Sequence, residues 1–347
     1  MTLPRAVKRS VASVLASDAV SSLFRPFARG VASIFMLHRF ADNDRGNSGH
    51  DPRALRMHLE YLRRRRYELV SLADLVERLR TGDTRLYKTV AFTIDDGYAD
   101  YATAGAPVFA EFDCPATVFI VTGVTDRRRW YWWDHLRVSL ELSTKRSVAI
   151  DIGGTPSRFE WSDASDAARV ARRIIDALKL VSDAERRRVL DAIPPMLDVE
   201  LPASPPARYE SMTWDQIRAC GRGLTTFGAH TVSHPILART DDAVARFEIE
   251  DSWRQLREQT GAAVSVFCYP NGGPGDVTAR EATIVRNAGI VAAVTSSPGY
   301  ASGTRWNAET DAPYFVPRFP YDGQLHELAQ VVSGVERMKL AIRRPRN

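Results

Sequence analysis

The chain of 347 residues is 44% hydrophobic and 26% charged, enough for one large α/β domain with an elaboration or for two domains, and ordinary for a soluble enzyme. Its three cysteines, Cys114, Cys220 and Cys268, are too few and too scattered for a disulfide framework or a thiolate metal cage, and they fit a reducing compartment. The net charge of +5 gives only a mild attraction to anionic partners, and no stretch approaches the roughly 20 apolar residues that span a bilayer.

Residues 1–30 alternate basic positions (Arg5, Lys8, Arg9, Arg25) with apolar ones (Val11, Val14, Leu15, Val20, Leu23, Phe24), which predicts an amphipathic helix. Asp18 and its serine neighbours break any apolar core of a secretory signal, so the expected location is cytoplasmic. The helix has two surfaces open to it: its own domain, or a lipid surface as a peripheral membrane contact. Residues 31–40 predict a first core strand ending on His38 and Arg39. Asp51 and Pro52 then open a helix whose end is crowded by Arg63 to Arg66, where positive charge suits the helix dipole. A short strand at Leu69 and Val70 and a second helix follow.

The stretch Thr89-Val90-Ala91-Phe92-Thr93-Ile94 is β-branched or apolar without helical spacing, the pattern of a strand buried on both faces of a parallel sheet. It ends on Asp95 and Asp96. Adjacent side chains on extended backbone point apart, so one acid can serve a metal while the other handles a proton. Gly97 allows a sharp turn. A helix over 101–112 and a strand over 116–121 continue the strand–helix alternation of a parallel sheet or barrel, which puts its chemistry at the carboxyl ends of the strands.

The character changes at Arg127-Arg128-Arg129-Trp130-Tyr131-Trp132-Trp133-Asp134-His135, and residues 125–208 read as a mainly helical insertion on the barrel rim. Its tryptophans either stack on sugar faces or form the insertion's own core. Thr213 and Gln216 resemble a capping box, and residues 224–229 form a strand that delivers His230-Thr231-Val232-Ser233-His234. Two histidines four apart suit one metal ion on a tight turn. A nucleic-acid reader would need basic and aromatic residues interleaved over a surface, and only residues 127–133 come close, so no nucleic-acid partner is expected.

These motifs resemble those of the polysaccharide deacetylases of the NodB-homology group, carbohydrate esterase family 4. The family's T-F-D-D-G is matched by Thr93-Ile94-Asp95-Asp96-Gly97, with Ile for Phe, and its H-[ST]-x-x-H by His230-Thr231-Val232-Ser233-His234. The resemblance covers roughly residues 31–124 and 209–322 and implies an α/β fold, a deformed (β/α) barrel spanning 31–124 and 209–335; residues 336–347 read as a basic tail from their own composition. It implies that Asp96, His230 and His234 bind a divalent metal, zinc first and Co2+, Ni2+ or Mn2+ as alternatives, while Asp95 is the general base. The third motif, R-x-P-Y-G, falls on Cys268-Tyr269-Pro270-Asn271-Gly272: the backbone N–H of Asn271 would stabilise the oxyanion, but Cys268 replaces the arginine that orients the base, and Arg318 is the candidate to supply that charge. No clear copy of the late L-x-H acid motif is present, since Leu325-His326 lacks its context; His38 resembles the acid of relatives with a rearranged barrel. Trp132, Trp133, Tyr269 and Pro270 are the expected substrate-binding residues. The implied activity is removal of an N-acetyl group from an amino sugar in a polysaccharide, such as a bacterial surface polysaccharide, an oligosaccharide or a glycoconjugate. The alternatives are a deformylase or deacetylase of a lipid-linked sugar, or an inactive carbohydrate-binding module; the retained Asp95 argues against the last.

Overall fold

The computed structural model describes residues 24–127, 129–306 and 310–343. The expected amphipathic helix lies outside the described residues except for its end, a helical turn at Arg25–Ala28.

Ten strands are present among the described residues: β1 (Ala32–Leu37), β2 (Glu68–Leu69), β3 (Thr89–Ile94), β4 (Ala116–Ile120), β5 (Ser147–Ile152), β6 (Thr155–Glu160), β7 (Thr225–Ala229), β8 (Ala263–Cys268), β9 (Ala292–Val294) and β10 (Phe319–Pro320). All but β5 and β6 form one parallel sheet in the order β10-β1-β3-β4-β7-β8-β9, with β2 beside the start of β3. β3 is central and buried at all six positions, as its unbroken apolar run requires. The sheet curls into a deformed barrel. Residues 316–320 run along both of its edges: Val316 bridges to Val294 of β9, while Phe319 and Pro320 pair with Phe35 and Met36 of β1. Arg318 therefore sits where the two edges of the sheet meet.

Helices wrap the sheet because each carries one apolar stripe. In α1 (Pro52–Arg64), Asp51 caps the Arg53 N–H and the stripe Leu55, His58, Leu59, Leu62 is buried. α2 (Leu72–Arg80) is capped by Ser71, and α3 (Ala106–Glu111) follows a π-helical turn at Tyr101–Gly105. The buried Leu side chains of α1 and Phe109 of α3 join Phe92, Val118, Phe227 and Phe267 of the sheet in one core, while those of α2 join Ile34, Phe119 and Val266 in a second, each contributing roughly 1.5–3 kcal/mol.

The chain between β4 and β7 carries α4 (Trp132–Leu142), the antiparallel β5–β6 hairpin, α5 (Ala164–Leu178) and α6 (Asp183–Met196). The hairpin turns on Gly153 and Gly154 at φ 60° and 79°, the double left-handed conformation of a two-residue turn. These elements have their own core of Trp132, Leu136, Ile150, Phe159, Ile174 and Leu190. The chain returns through α7 (Trp214–Cys220), whose Thr213–Gln216 capping box forms as expected, then α8 (Asp242–Gln259), α9 (Ala279–Asn287) and α10 (Leu325–Val332).

One boundary is corrected. Residues 336–343, expected to begin a basic tail, belong to α11 (Val335–Arg343). Gly334, at φ 89°, reverses the chain so that Val335 is buried and Arg337 donates to the carbonyls of Phe27 and Arg29 at 2.9 Å each.

Candidate active site

Asp95 and Asp96 stand at the carboxyl end of β3. The Asp95 N–H continues the ladder by donating to the Leu37 carbonyl at 2.8 Å, but Asp96 and Gly97 turn left-handed at φ 71° and 68°. The reversal separates the two carboxylates. A side chain at Gly97 would meet Ile120 Cδ1 at 2.6 Å in a backbone conformation that glycine alone takes freely, so only glycine fits this turn.

The Asp95 carboxylate is clamped by Arg318. Nη1 donates to Oδ1 at 2.7 Å and Nη2 to Oδ2 at 2.8 Å, a two-pronged pairing that fixes the plane of the carboxylate. Arg318 is itself held by Thr295 O (Nε, 2.9 Å), Thr93 Oγ1 (Nη1, 2.9 Å) and Cys268 Sγ (Nη2, 3.2 Å). The Arg318 guanidinium thus lies between Asp95 and the thiol of Cys268, the residue that stands at the position of the third motif's arginine. Burial pushes the Asp95 carboxyl up, but the Arg318 charge and hydrogen bonds outweigh it and hold Asp95 below its ordinary value, hence ionised.

Asp96 faces the two histidines. Its Oδ1 lies 3.6 Å from His230 Nε2 and 3.3 Å from His234 Nε2. His230 Nδ1 is 2.7 Å from the Cys268 carbonyl, which can only accept, so Nδ1 carries a proton and Nε2 faces the site. These spacings test whether an ion fits. A tetrahedral ion with bonds near 2.1 Å keeps its donor atoms about 3.4 Å apart, close to both separations between Asp96 and the imidazoles. Asp96, His230 and His234 can therefore hold one divalent cation.

A second grouping, Asp95 with His230 and Cys268, also brings its ligand atoms within 4.8 Å of one another. It is the poorer cation site, because the Arg318 guanidinium already occupies both Asp95 oxygens and Cys268 Sγ. Their surroundings separate the two imidazoles as well. Burial takes His234 down to about 4, so it presents a neutral ring. Burial also disfavours charge on His230, yet Cys268 and Asp96 pull it well above the ordinary imidazole value, so a cation there displaces a proton.

The other expected site residues divide. His38, at the end of β1 and 45% exposed, places Nε2 at 3.9 Å from Asp95 Oδ2. Asn271 follows β8 in left-handed backbone at φ 59°, and its buried Nδ2 has no partner among the described residues. Trp133 lies edge-on to His234 at 4.7 Å between ring centroids and stacks on Tyr131, also at 4.7 Å. Three substrate-binding expectations are corrected. Trp132 is drawn into the inserted segment's own core, under Arg186. Tyr269 is 1% exposed and packs against Phe267 and Phe315 in the barrel core, and Pro270 is buried beside it.

The start of the inserted segment braces the site through contacts that no motif in the sequence signals. The Tyr131 hydroxyl donates to the Asp96 carbonyl. The Trp133 indole donates to the Tyr98 hydroxyl at 2.9 Å, which donates in turn to Asp134 Oδ2 at 2.5 Å. The aromatic run was visible in the sequence; its hydroxyl and indole partners, more than thirty residues upstream, were not.

Burial raises the Asp134 carboxyl to about 6, against Arg137 and the Tyr98 hydrogen bond. A raised acid keeps its proton in the folded state and gives it up when unfolded, so this group's contribution to stability declines as pH rises from about 4 to about 6, by about 3 kcal/mol. Asp134→Asn should flatten that part of the curve of urea midpoint against pH. Equal slopes for the variant and the wild type would contradict the assignment.

Residues 82–149 and 201–293 match the polysaccharide deacetylase family, and the gap between the two matched stretches falls within the inserted segment. Three solved structures share the fold. The Streptococcus pyogenes deacetylase PplD in complex with acetate is 16% identical at a TM-score of 0.55, over 88% of this chain and 99% of that one. IcaB from Ammonifex degensii is 16% identical at 0.54, over 88% and 97%, and the BpsB deacetylase domain from Bordetella bronchiseptica is 16% identical at 0.50, over 84% and 96%. No curated protein matches the chain in sequence.

Proposed function

We propose that this chain, a member of the polysaccharide deacetylase family through residues 82–149 and 201–293, is a metal-dependent hydrolase that removes the N-acetyl group from an amino sugar. One observation carries the reading: a carboxylate oxygen 3.6 and 3.3 Å from two imidazole nitrogens, with a separate, arginine-clamped carboxylate on the adjacent residue. Asp96, His230 and His234 would hold the ion, zinc first and Co2+, Ni2+ or Mn2+ with the same donors. When bound it would polarise the amide carbonyl and acidify water.

Asp95, kept ionised by Arg318, takes the proton of the attacking water. The Asn271 backbone N–H donates to the oxyanion. His38, beside Asp95 and open to solvent on its other side, delivers the proton that the leaving amine needs. Trp133, half-buried against His234, offers its ring as a surface for the sugar.

A panel of N-acetylated and N-formylated amino-sugar oligomers and lipid-linked saccharides, assayed for acetate and formate, tests this. We expect zinc-dependent acetate release from at least one oligomer, abolished by a chelator and restored by adding zinc. Release of neither acid from any member by zinc-loaded protein would contradict the reading, and formate release from a lipid-linked saccharide alone would replace it with the deformylase alternative.

A further inference from the structure

The two imidazoles are delivered by a loop without regular secondary structure, and Thr231 and His234 in it hold left-handed backbone at φ 69° and 58°. Residues of these types seldom adopt that conformation, and it persists only where the surroundings over-determine it. Part of the restraint is local: Thr231 Oγ1 accepts from the His234 N–H at 2.9 Å. Part comes from the chain after β4, where the N–H groups of Thr122 and Gly123 donate to the carbonyls of Thr231 and Val232 at 3.1 and 2.9 Å.

The loop's own middle N–H groups converge on a single acceptor from a different element. Val232 and Ser233 both donate to Glu248 Oε2 at 2.8 Å, and the Ser233 hydroxyl donates to Oε1 at 2.5 Å. Glu248 is 2% exposed, on the face of α8 that also buries Ala245, Ile249 and Ser252. An ionised carboxylate in that stripe is costly unless hydrogen-bonded. All three of its hydrogen bonds go to the histidine loop, and its charge also reaches the buried Arg186 of the inserted segment.

We propose that Glu248 is the positioning residue of the cation site: by anchoring residues 232 and 233 from α8 it sets the loop so that both imidazole Nε2 atoms face Asp96. The inference rests on the reading of Asp96, His230 and His234 as ligands. Without the carboxylate the loop loses three hydrogen bonds, and the left-handed residues on either side lose the contacts that hold them.

The test is zinc affinity of the full chain, read by competition with a chromophoric chelator, beside the melting curve of the metal-free protein. Glu248→Ala should bind zinc about 10–100-fold more weakly than wild type. Glu248→Gln should recover most of that loss, because its amide oxygen can accept both N–H groups while the Ser233 hydroxyl turns to accept from the amide nitrogen. Recovery by the neutral isostere ties the effect to the loop's hydrogen bonds. Glu250→Gln, which removes an exposed charge from the same helix, should bind like wild type. E248A binding within about twofold of wild type would overturn the proposal. Should E248A fail to fold, Ser233→Ala decides: it cuts only the hydroxyl bond, a weaker grip on zinc supports the proposal, and unchanged affinity overturns it. Wild-type protein that takes up no zinc would sink the ligand reading and this proposal together, whereas wild-type-like binding by E248A sinks the proposal alone.

Discussion

Asp95→Asn is expected to lower kcat by about 10²–10⁴-fold while leaving the bound zinc stoichiometry unchanged. Asparagine has the shape of aspartate but cannot take a proton at neutral pH. Its geometry also fails locally, because Arg318 presents two N–H donors to the two Asp95 oxygens and one of them would meet an amide N–H. The variant should therefore melt lower as well as turn over more slowly, and metal content separates the chemical role from the structural one. Loss of zinc in Asp95→Asn would mean that the roles of the two acids are reversed. A kcat within about threefold of wild type would move the base to another residue.

Arg318→Met has the largest expected effect on stability. The side chain is fully buried, and removing it leaves the Asp95 carboxylate buried without its partner, a change that typically costs about 3–5 kcal/mol. Methionine fills much of the volume, so the loss reports the charge and not a cavity. With Arg318 gone, burial is opposed only by the weaker pull of His38 and His230, so the Asp95 pKa should rise and the acid limb of the activity profile should move to higher pH. Arg318→Lys should recover only part of the stability, because one ammonium cannot reproduce the fork across Asp95, Thr93, Thr295 and Cys268. The double variant Asp95→Asn with Arg318→Met should be destabilised by less than the sum of the two singles, since each single strands the other's charge. Additive losses, measured by denaturant titration, would show that the two side chains do not act as a pair.

The parts of this site that could be read in the sequence are those carried by a few consecutive residues at a strand end. Asp95-Asp96-Gly97 follows an apolar run too continuous for anything but a buried strand, and the two histidines of residues 230–234 follow another. The physical chemistry of strand ends in a parallel barrel then places both at one mouth. What could not be read is whatever depends on phase or on distant partners. Trp132 and Trp133 are neighbours on one helix, so one turns into the inserted segment's core and the other towards His234, and the choice depends on how that segment packs. Tyr269 follows Cys268 at the end of β8 and faces the other way: the thiol meets Arg318, while the ring packs against Phe267 and Phe315. Arg318 was legible only as a charge near the last strand. Its role comes from the join between β9 and β1, where the chain reaches both sheet edges within five residues. Glu248 gave no signal, because a glutamate in a helix is ordinary until its two oxygens are seen on the histidine loop.

Asp96 is more than 130 residues from His230 and His234, and the proposed reaction requires that all three meet at one cation. Anomalous diffraction at the zinc edge from zinc-soaked crystals tests it most directly. One strong peak is expected within about 2.3 Å of an Asp96 oxygen and of both imidazole Nε2 atoms. A peak between Asp95, His230 and Cys268, or no peak at saturating zinc, would contradict it.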